Sequence, residues 1–236
     1  MSGAAGNNAS PTCGSPHNGG NRDQDGPVPR AARPGSAGRG RLIRVRTGRR
    51  YAVQAHGFLD RPSADVDLFA EASAQFDFSE AVDAVIAAYR RDGLEADAEV
   101  RSSTFARLSV SGGEERAKVE LGVDWRKNEP ILLAVGPVLH ADDAVANKVC
   151  ALFGRAEVCD YVDVAAILAS GRYSKEDLVR LAEEHDPGFD PAWFTEALNA
   201  VDRLPDTLFA PYGLDPQDVS ALKTQMQAWA RKISRD

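Results

Sequence analysis

Halfway along the chain the spacing of apolar residues changes from every second position to every third or fourth. Few folds accommodate that order. "FARLSVS" (105–111) and "AKVELGVDW" (117–125) alternate apolar and polar residues, as a strand with one covered face does. "AEVRSS" (98–103) reads as a strand before them, and the turn "GGEE" (112–115) joins the last two. After "GPVLH" (136–140) the pattern is helical in "DDAVANKVCALFG", "VCDYVDVAAILASG", "SKEDLVRLAEEHD", "PAWFTEALNAVDRL" and "PQDVSALKTQMQAWARKIS". Pro187, Pro191, Pro205, Pro211 and Pro216 punctuate the spaces between the later ones. The expected class is α/β of the α+β kind: a mixed-sheet core over residues 41–138, then a helical domain over 139–236.

Upstream, "DFSEAVDAVIAAYRRDGL" is a helix capped by Asp77 or Ser79 and closed at Gly93. "ADVDLF" reads as a strand, "YAVQAHGF" as a short helix stopping at Gly57, and "RLIRV" as a short strand. Residues 1–40 hold almost no large apolar side chains. They cannot bury enough surface to offset the entropy of ordering, so a disordered basic tail is expected there. Nine arginines against two aspartates give the first 50 residues a net +7; with −7 for the whole chain, the rest carries −14. So acidic a body argues against a broad non-specific nucleic-acid surface, though not against a local basic cleft or an RNA-touching tail. No apolar run approaches the roughly 18 residues of a membrane span, and no secretory leader is evident. Cys13, Cys150 and Cys159 are odd in number and form no CxxC pair, which fits the cytoplasm.

Asp65 and Asp67 lie one residue apart on a strand and so share a face. Two carboxylates held side by side repel unless a cation sits between them. On "KVELGVDWR", Glu120 alternates with Val119 and Leu121 and belongs to the polar face of its strand, where it could supply a third acid. Asp65, Asp67 and Glu120 together suit one or two Mg2+ ions, which keep waters and substrate phosphates in their remaining positions. Glycosyltransferases also use D-x-D around a metal-bound nucleotide sugar. D-x-D-x-T phosphatases need Thr or Val where Phe69 stands.

Four segments, in order, resemble the nucleotidyltransferase toxins of the AbiEii/AbiGii type, a branch of the polymerase-beta-like superfamily. "HGFLDRPSADVDLF" is similar to the family's R-x-S-x-D-[IV]-D-L-F, with Arg61, Ser63, Asp65 and Asp67 in place. "KVELGVDWR" matches at Glu120. "DDAVANKVCALFGR" is similar to the H/N-K-x-x-A-L-x-x-R helix, with Lys148 and Arg155. "CDYVDVAAIL" resembles R-D-x-x-D-[LV], with Cys159 where Arg is usual and Asp160 and Asp163 matching. The resemblance implies a polymerase-beta-like nucleotidyltransferase domain, with a cleft before the helical domain, that moves a nucleotide from an NTP to an acceptor hydroxyl. It further implies a tRNA acceptor, a growth-inhibiting role and a cognate antitoxin. Arg61, Ser63, Thr47 and Gly48 are then nucleotide-binding residues. Lys148 becomes a point charge for the β- or γ-phosphate, where the residues alone also allow a solvated lysine. Asp160 becomes the functional acid and Asp163 its structural neighbour; the residues alone allow one to cap the helix and the other to pair with Arg155.

"RTGRRYAVQAHG" departs from the family. Arg49 and Arg50 stand where a second small residue is expected to let backbone amides approach the triphosphate. Residues 1–40 supply none of the helix the family places earlier, so the start of the domain is expected to be altered, through a shifted reading frame. The alternative reading is an impaired member of the fold that serves as a nucleotide- or partner-binding module. His56, His140 and His185 form no metal-ligand set, and Trp125, Trp193, Trp229, Tyr161 and Phe153 read as packing residues.

Overall fold

The computed structural model describes residues 46–47, 56–58, 65–71, 77–133 and 136–235. The expected tail, "RLIRV" and most of "YAVQAHGF" lie outside them. The described strands are β1 (Arg46–Thr47), β2 (Asp65–Glu71), β3 (Glu95–Arg101), β4 (Phe105–Gly112), β5 (Glu115–Asp124), β6 (Ile131–Leu133) and β7 (Gly136–Val138). They form one sheet in the order β3-β4-β5-β2-β1-β7-β6. β2 runs parallel to β5 and β1 to β7; the other neighbours are antiparallel. The chain is therefore a mixed-sheet α/β protein. β6 and β7 escape the sequence because three-residue strands are too short to show an alternation.

Alternation decides what covers each face. Ala106, Leu108 and Val110 of β4, Val119 and Leu121 of β5, and Val66 and Leu68 of β2 pack with Phe78, Val82 and Tyr89 of helix α1 (Phe78–Arg91). Asp77 caps that helix by accepting from the Ser79 amide at 2.7 Å, and Gly93 takes the left-handed conformation beyond its end (φ 83°). The opposite face of β2 and β5 carries Asp67, Phe69 and Glu120, and Phe69 joins the core of the helical half.

That half is built from α2 (Ala141–Arg155), α3 (Val158–Ala169), α4 (Lys175–His185), α5 (Pro191–Asn199) and α6 (Pro216–Ile233). α2 is its axle: residues Asp143 to Val149 are all buried, and it packs on α3, α4 and α5. The expected helix over 191–204 is shorter than its pattern, because Ala200–Arg203 tighten into a 3-10 turn. Trp229 is buried as expected. Trp193 and Trp125 are not; they are 69% and 47% exposed, so neither is a core residue. His140 caps α2 through Nδ1, which accepts from the Asp142 amide at 3.2 Å. The Nε2 of His56 lies 2.8 Å from the Leu139 carbonyl oxygen.

Tyr161 of α3 donates its hydroxyl to the Ala197 carbonyl at 2.5 Å and ties α3 to α5. Burial, then the adjacent Asp160 carboxylate, push its phenol up to about 12. A phenol that ionises at about 10 when unfolded and about 12 when folded favours unfolding once the pH exceeds 10. Its contribution is therefore complete below pH 10 and lost as the pH rises through 12. Urea midpoints measured across this window should fall, and Tyr161→Phe should flatten the fall. At neutral pH the same variant should be less stable by about 1 kcal/mol, having lost the bond to Ala197.

Candidate active site

The parallel pairing of β2 and β5 sets Asp67 beside Glu120, with Leu68 beside Leu121 and Phe69 beside Gly122. On the other flank of β5 the antiparallel register sets Arg107 of β4 beside Glu120. Arg107, Glu120 and Asp67 thus form one row across three strands, on the face that α1 does not cover. Arg107 forks onto Glu120: Nε lies 2.8 Å and Nη2 2.7 Å from the same oxygen, Oε1. Both side chains are largely covered, with 29% and 12% exposed. Gly122 leaves room for a ring: a Cβ there would stand 3.2 Å from Cε1 of Phe69. The Phe69 ring therefore takes the space beside Gly122 that a side chain would fill, next to the two acids in the row.

Arg107 was not among the residues singled out from the sequence, yet a signal for it existed. A hairpin closed between Gly112 and Glu115 counts back to pair 107 with 120. The "GGEE" turn supplies that closing pair, and Gly113 takes the positive φ (64°) the tight connection needs.

Asp65 begins β2 and pairs through its backbone with Lys118, two positions before Asp67 in the same strand. Thr47 pairs through its backbone with Leu68 and Val138. The side chains of both, and Gly48, Arg61 and Ser63 altogether, lie outside the described residues. The carboxylates of Asp67 and Glu120 are hard oxygen donors in adjacent register, a donor set that fits a divalent cation such as Mg2+.

The helical half contributes the cation. Lys148 of α2 is buried, and its Nζ lies 2.6 Å from Oδ2 of Asp163 on α3, which is fully buried. The preceding residue, Asn147, donates to Asp124 at 3.1 Å. Asp124 ends β5 on the same face as Glu120, so α2 leans on the acid-bearing side of the sheet. Lys148 is thus neither a solvated lysine nor a partner of Asp160. Asp160 receives Arg155 Nε at 2.9 Å and Nη2 at 2.8 Å, and the Glu157 amide at 3.1 Å. It closes the start of α3 and anchors Arg155, while Asp163, expected to be a structural partner, meets Lys148. The carboxylate oxygens of Glu157 and Asp160 and the sulfur of Cys159 lie within 4.8 Å of one another. With Arg155 already forked onto Asp160, this cluster is an ion-paired helix start rather than a metal cage.

A family model described as "Nucleotidyl transferase AbiEii toxin, Type IV TA system" matches residues 54–235. No curated protein matches the chain. Two of the solved structures similar to it are as follows. One, from H. pylori, is described as a nucleotidyltransferase; it is 17% identical, with a TM-score of 0.43 over 81% of this chain and 86% of that one. The other is MenT4, a nucleotidyltransferase toxin from Mycobacterium tuberculosis H37Rv, 16% identical, with a TM-score of 0.46 over 81% and 76% of the two chains.

Removing Asp163 leaves a lysine buried without its counter-charge. Asp163→Asn should cost about 3–5 kcal/mol, which lowers Tm by roughly 2–4 °C per kcal/mol in a chain of this size. Lys148→Met with Asp163→Asn should recover much of that loss. Thermal melts of the single and double variants check both.

Proposed function

The chain belongs to the AbiEii family of nucleotidyltransferase toxins of type IV toxin–antitoxin systems, and on that premise we propose that it transfers a nucleotide from an NTP to an RNA hydroxyl, with the end of a tRNA as acceptor. The observation that carries this reading is the row of Asp67 and Glu120 in parallel register, with α2 leaning over the same face. Asp65, Asp67 and Glu120 would hold Mg2+. When bound, that ion neutralises phosphate charge and lowers the pKa of the attacking hydroxyl. Glu120 keeps its orientation because Arg107 fixes one of its oxygens. Lys148, held in place by Asp163, offers a fixed positive charge to the β- or γ-phosphate. Thr47, Gly48, Arg61 and Ser63 would supply further phosphate contacts. Asp160 acts at one remove, as the residue that anchors the start of α3.

In this reading the sheet core to about residue 138 and the helical half beyond it are two domains, and the substrates lie between them. The partner is a cognate antitoxin, and the compartment is the cytoplasm. No helix among the described residues is long and apolar enough to cross a membrane.

The full chain should label total RNA when given radiolabelled NTPs and Mg2+, and tRNA should carry the label. Asp67→Asn should lower labelling by at least about 100-fold, since metal grip and phosphate neutralisation fail together. EDTA should abolish labelling and added Mg2+ should restore it. If no NTP labels any RNA, the nucleotide- or partner-binding module takes the place of the enzyme.

A further inference from the structure

Arg126 is 8% exposed, and none of its guanidinium nitrogens, Nε, Nη1 or Nη2, has a hydrogen-bond partner among the described residues. An arginine cannot shed its charge in a protein. Burying a full set of unsatisfied donors is among the costliest things a fold can do. The neighbouring acids are committed elsewhere. Asp124 accepts from Asn147 at 3.1 Å. Asp143 accepts from the backbone amides of Lys127 and Asn128, each at 3.0 Å. These contacts fasten the chain to α2 at two points one helical turn apart, with Arg126 between them. The arginine is held in place rather than left loose, yet nothing among the described residues answers its charge.

We propose that Arg126 is an anion receptor that seats a phosphate group of the nucleic-acid acceptor. The planar fork of a guanidinium matches two oxygens of one phosphate, which a lysine does not. The position favours the acceptor over the NTP tail. Arg126 stands six positions on from Glu120 and two past the end of β5, at most roughly 20 Å away at about 3.3 Å per extended residue. That offset puts it to one side of a metal held at Glu120, along the path of a polynucleotide whose end reaches that metal. An acidic body whose buried Arg126 has no hydrogen-bond partner among the described residues, unlike the paired Lys148, also fits recognition of a single phosphate better than a broad electrostatic surface. The proposal rests on the acceptor being RNA.

The full chain is tested without NTP or Mg2+, so turnover plays no part and failure of the labelling assay is a separate result. The probes are a short single-stranded RNA and inorganic tripolyphosphate. The first comparison is Arg126→Met, which keeps the bulk and removes the charge. Without any probe its Tm should equal or exceed that of the wild type, by about 2–4 °C if the unpaired charge is relieved. RNA affinity should fall about tenfold or more, and the slope of log K against log salt should become shallower by about 0.7, one phosphate contact on a single strand. Arg126→Lys, which retains charge without the fork, should fold as the wild type does and bind RNA more weakly. Tripolyphosphate should raise the Tm of wild type and variants alike; if instead its effect is lost in Arg126→Met while RNA binding persists, the phosphate comes from the nucleotide tail. A clear drop in the Tm of Arg126→Met without probe overturns the proposal, because the guanidinium is then satisfied within the protein. Unchanged binding of both probes, with an unchanged salt slope, overturns it as well.

Discussion

Seven consecutive residue pairs hold β2 parallel to β5, and the candidate site depends on that pairing. A slip of one residue would turn Asp67 to the face that α1 covers and Leu68 to the face of Glu120, because side chains alternate along a strand. The register is protected by what both faces need. Leu68 and Leu121 must meet under α1, and Phe69 needs the space above Gly122. The apolar packing on one side therefore sets the spacing of the carboxylates on the other. Parallel neighbours cannot be joined by a tight turn. Some fifty residues, including α1 and the β3–β4 hairpin, come between the two acids and bring them together.

Like charges opposite one another across neighbouring strands weaken a sheet. Here the row continues into β4, where Arg107 binds Glu120 from the far side and offsets part of that repulsion. The contact fixes one oxygen of Glu120 from the far side of the row. The helical half holds two buried acids in ion pairs, Asp163 with Lys148 and Asp160 with Arg155, and Asn147 binds Asp124 of β5. Pairs of this kind add little net stability compared with apolar residues of equal volume, but breaking one is costly. Their value here is geometric, since each joins α2 to a neighbouring element. Ala156 shows the same emphasis. It ends α2 in the left-handed conformation (φ 51°), which costs about 1 kcal/mol for a residue with a Cβ, and the turn it makes brings Arg155 back to Asp160.

The alternation of "FARLSVS" and "AKVELGVDW", the caps and the proline punctuation sufficed to place β4, β5 and every long described helix to within a few residues. These signals are local: a strand's period, a cap's side chain and a proline's missing donor act within one turn or one pleat. Asp67 and Glu120 were legible for the same reason, as polar residues out of phase with apolar neighbours. Partnership was not legible, with one exception. Arg107 could be counted from the two-residue turn, because a tight hairpin fixes its own register.

Tertiary structure decided the rest. Asp160 and Asp163 sit three residues apart on one helix, and nothing in their spacing says which meets Lys148 and which meets Arg155. That depends on the angle at which α2 turns into α3 about Ala156. Lys148 reads as a surface lysine until α2 is sunk among its neighbours, and Trp193 reads as core until α5 turns it outward. Arg126 is an ordinary arginine in the sequence, and only the fastening of Asp124 and of the Lys127 and Asn128 amides onto α2 leaves it buried without a hydrogen-bond partner among the described residues. Local periodicity is set by steric and hydrogen-bonding rules that reach a few residues, whereas the pairing of a charge depends on which distant surface is packed against it.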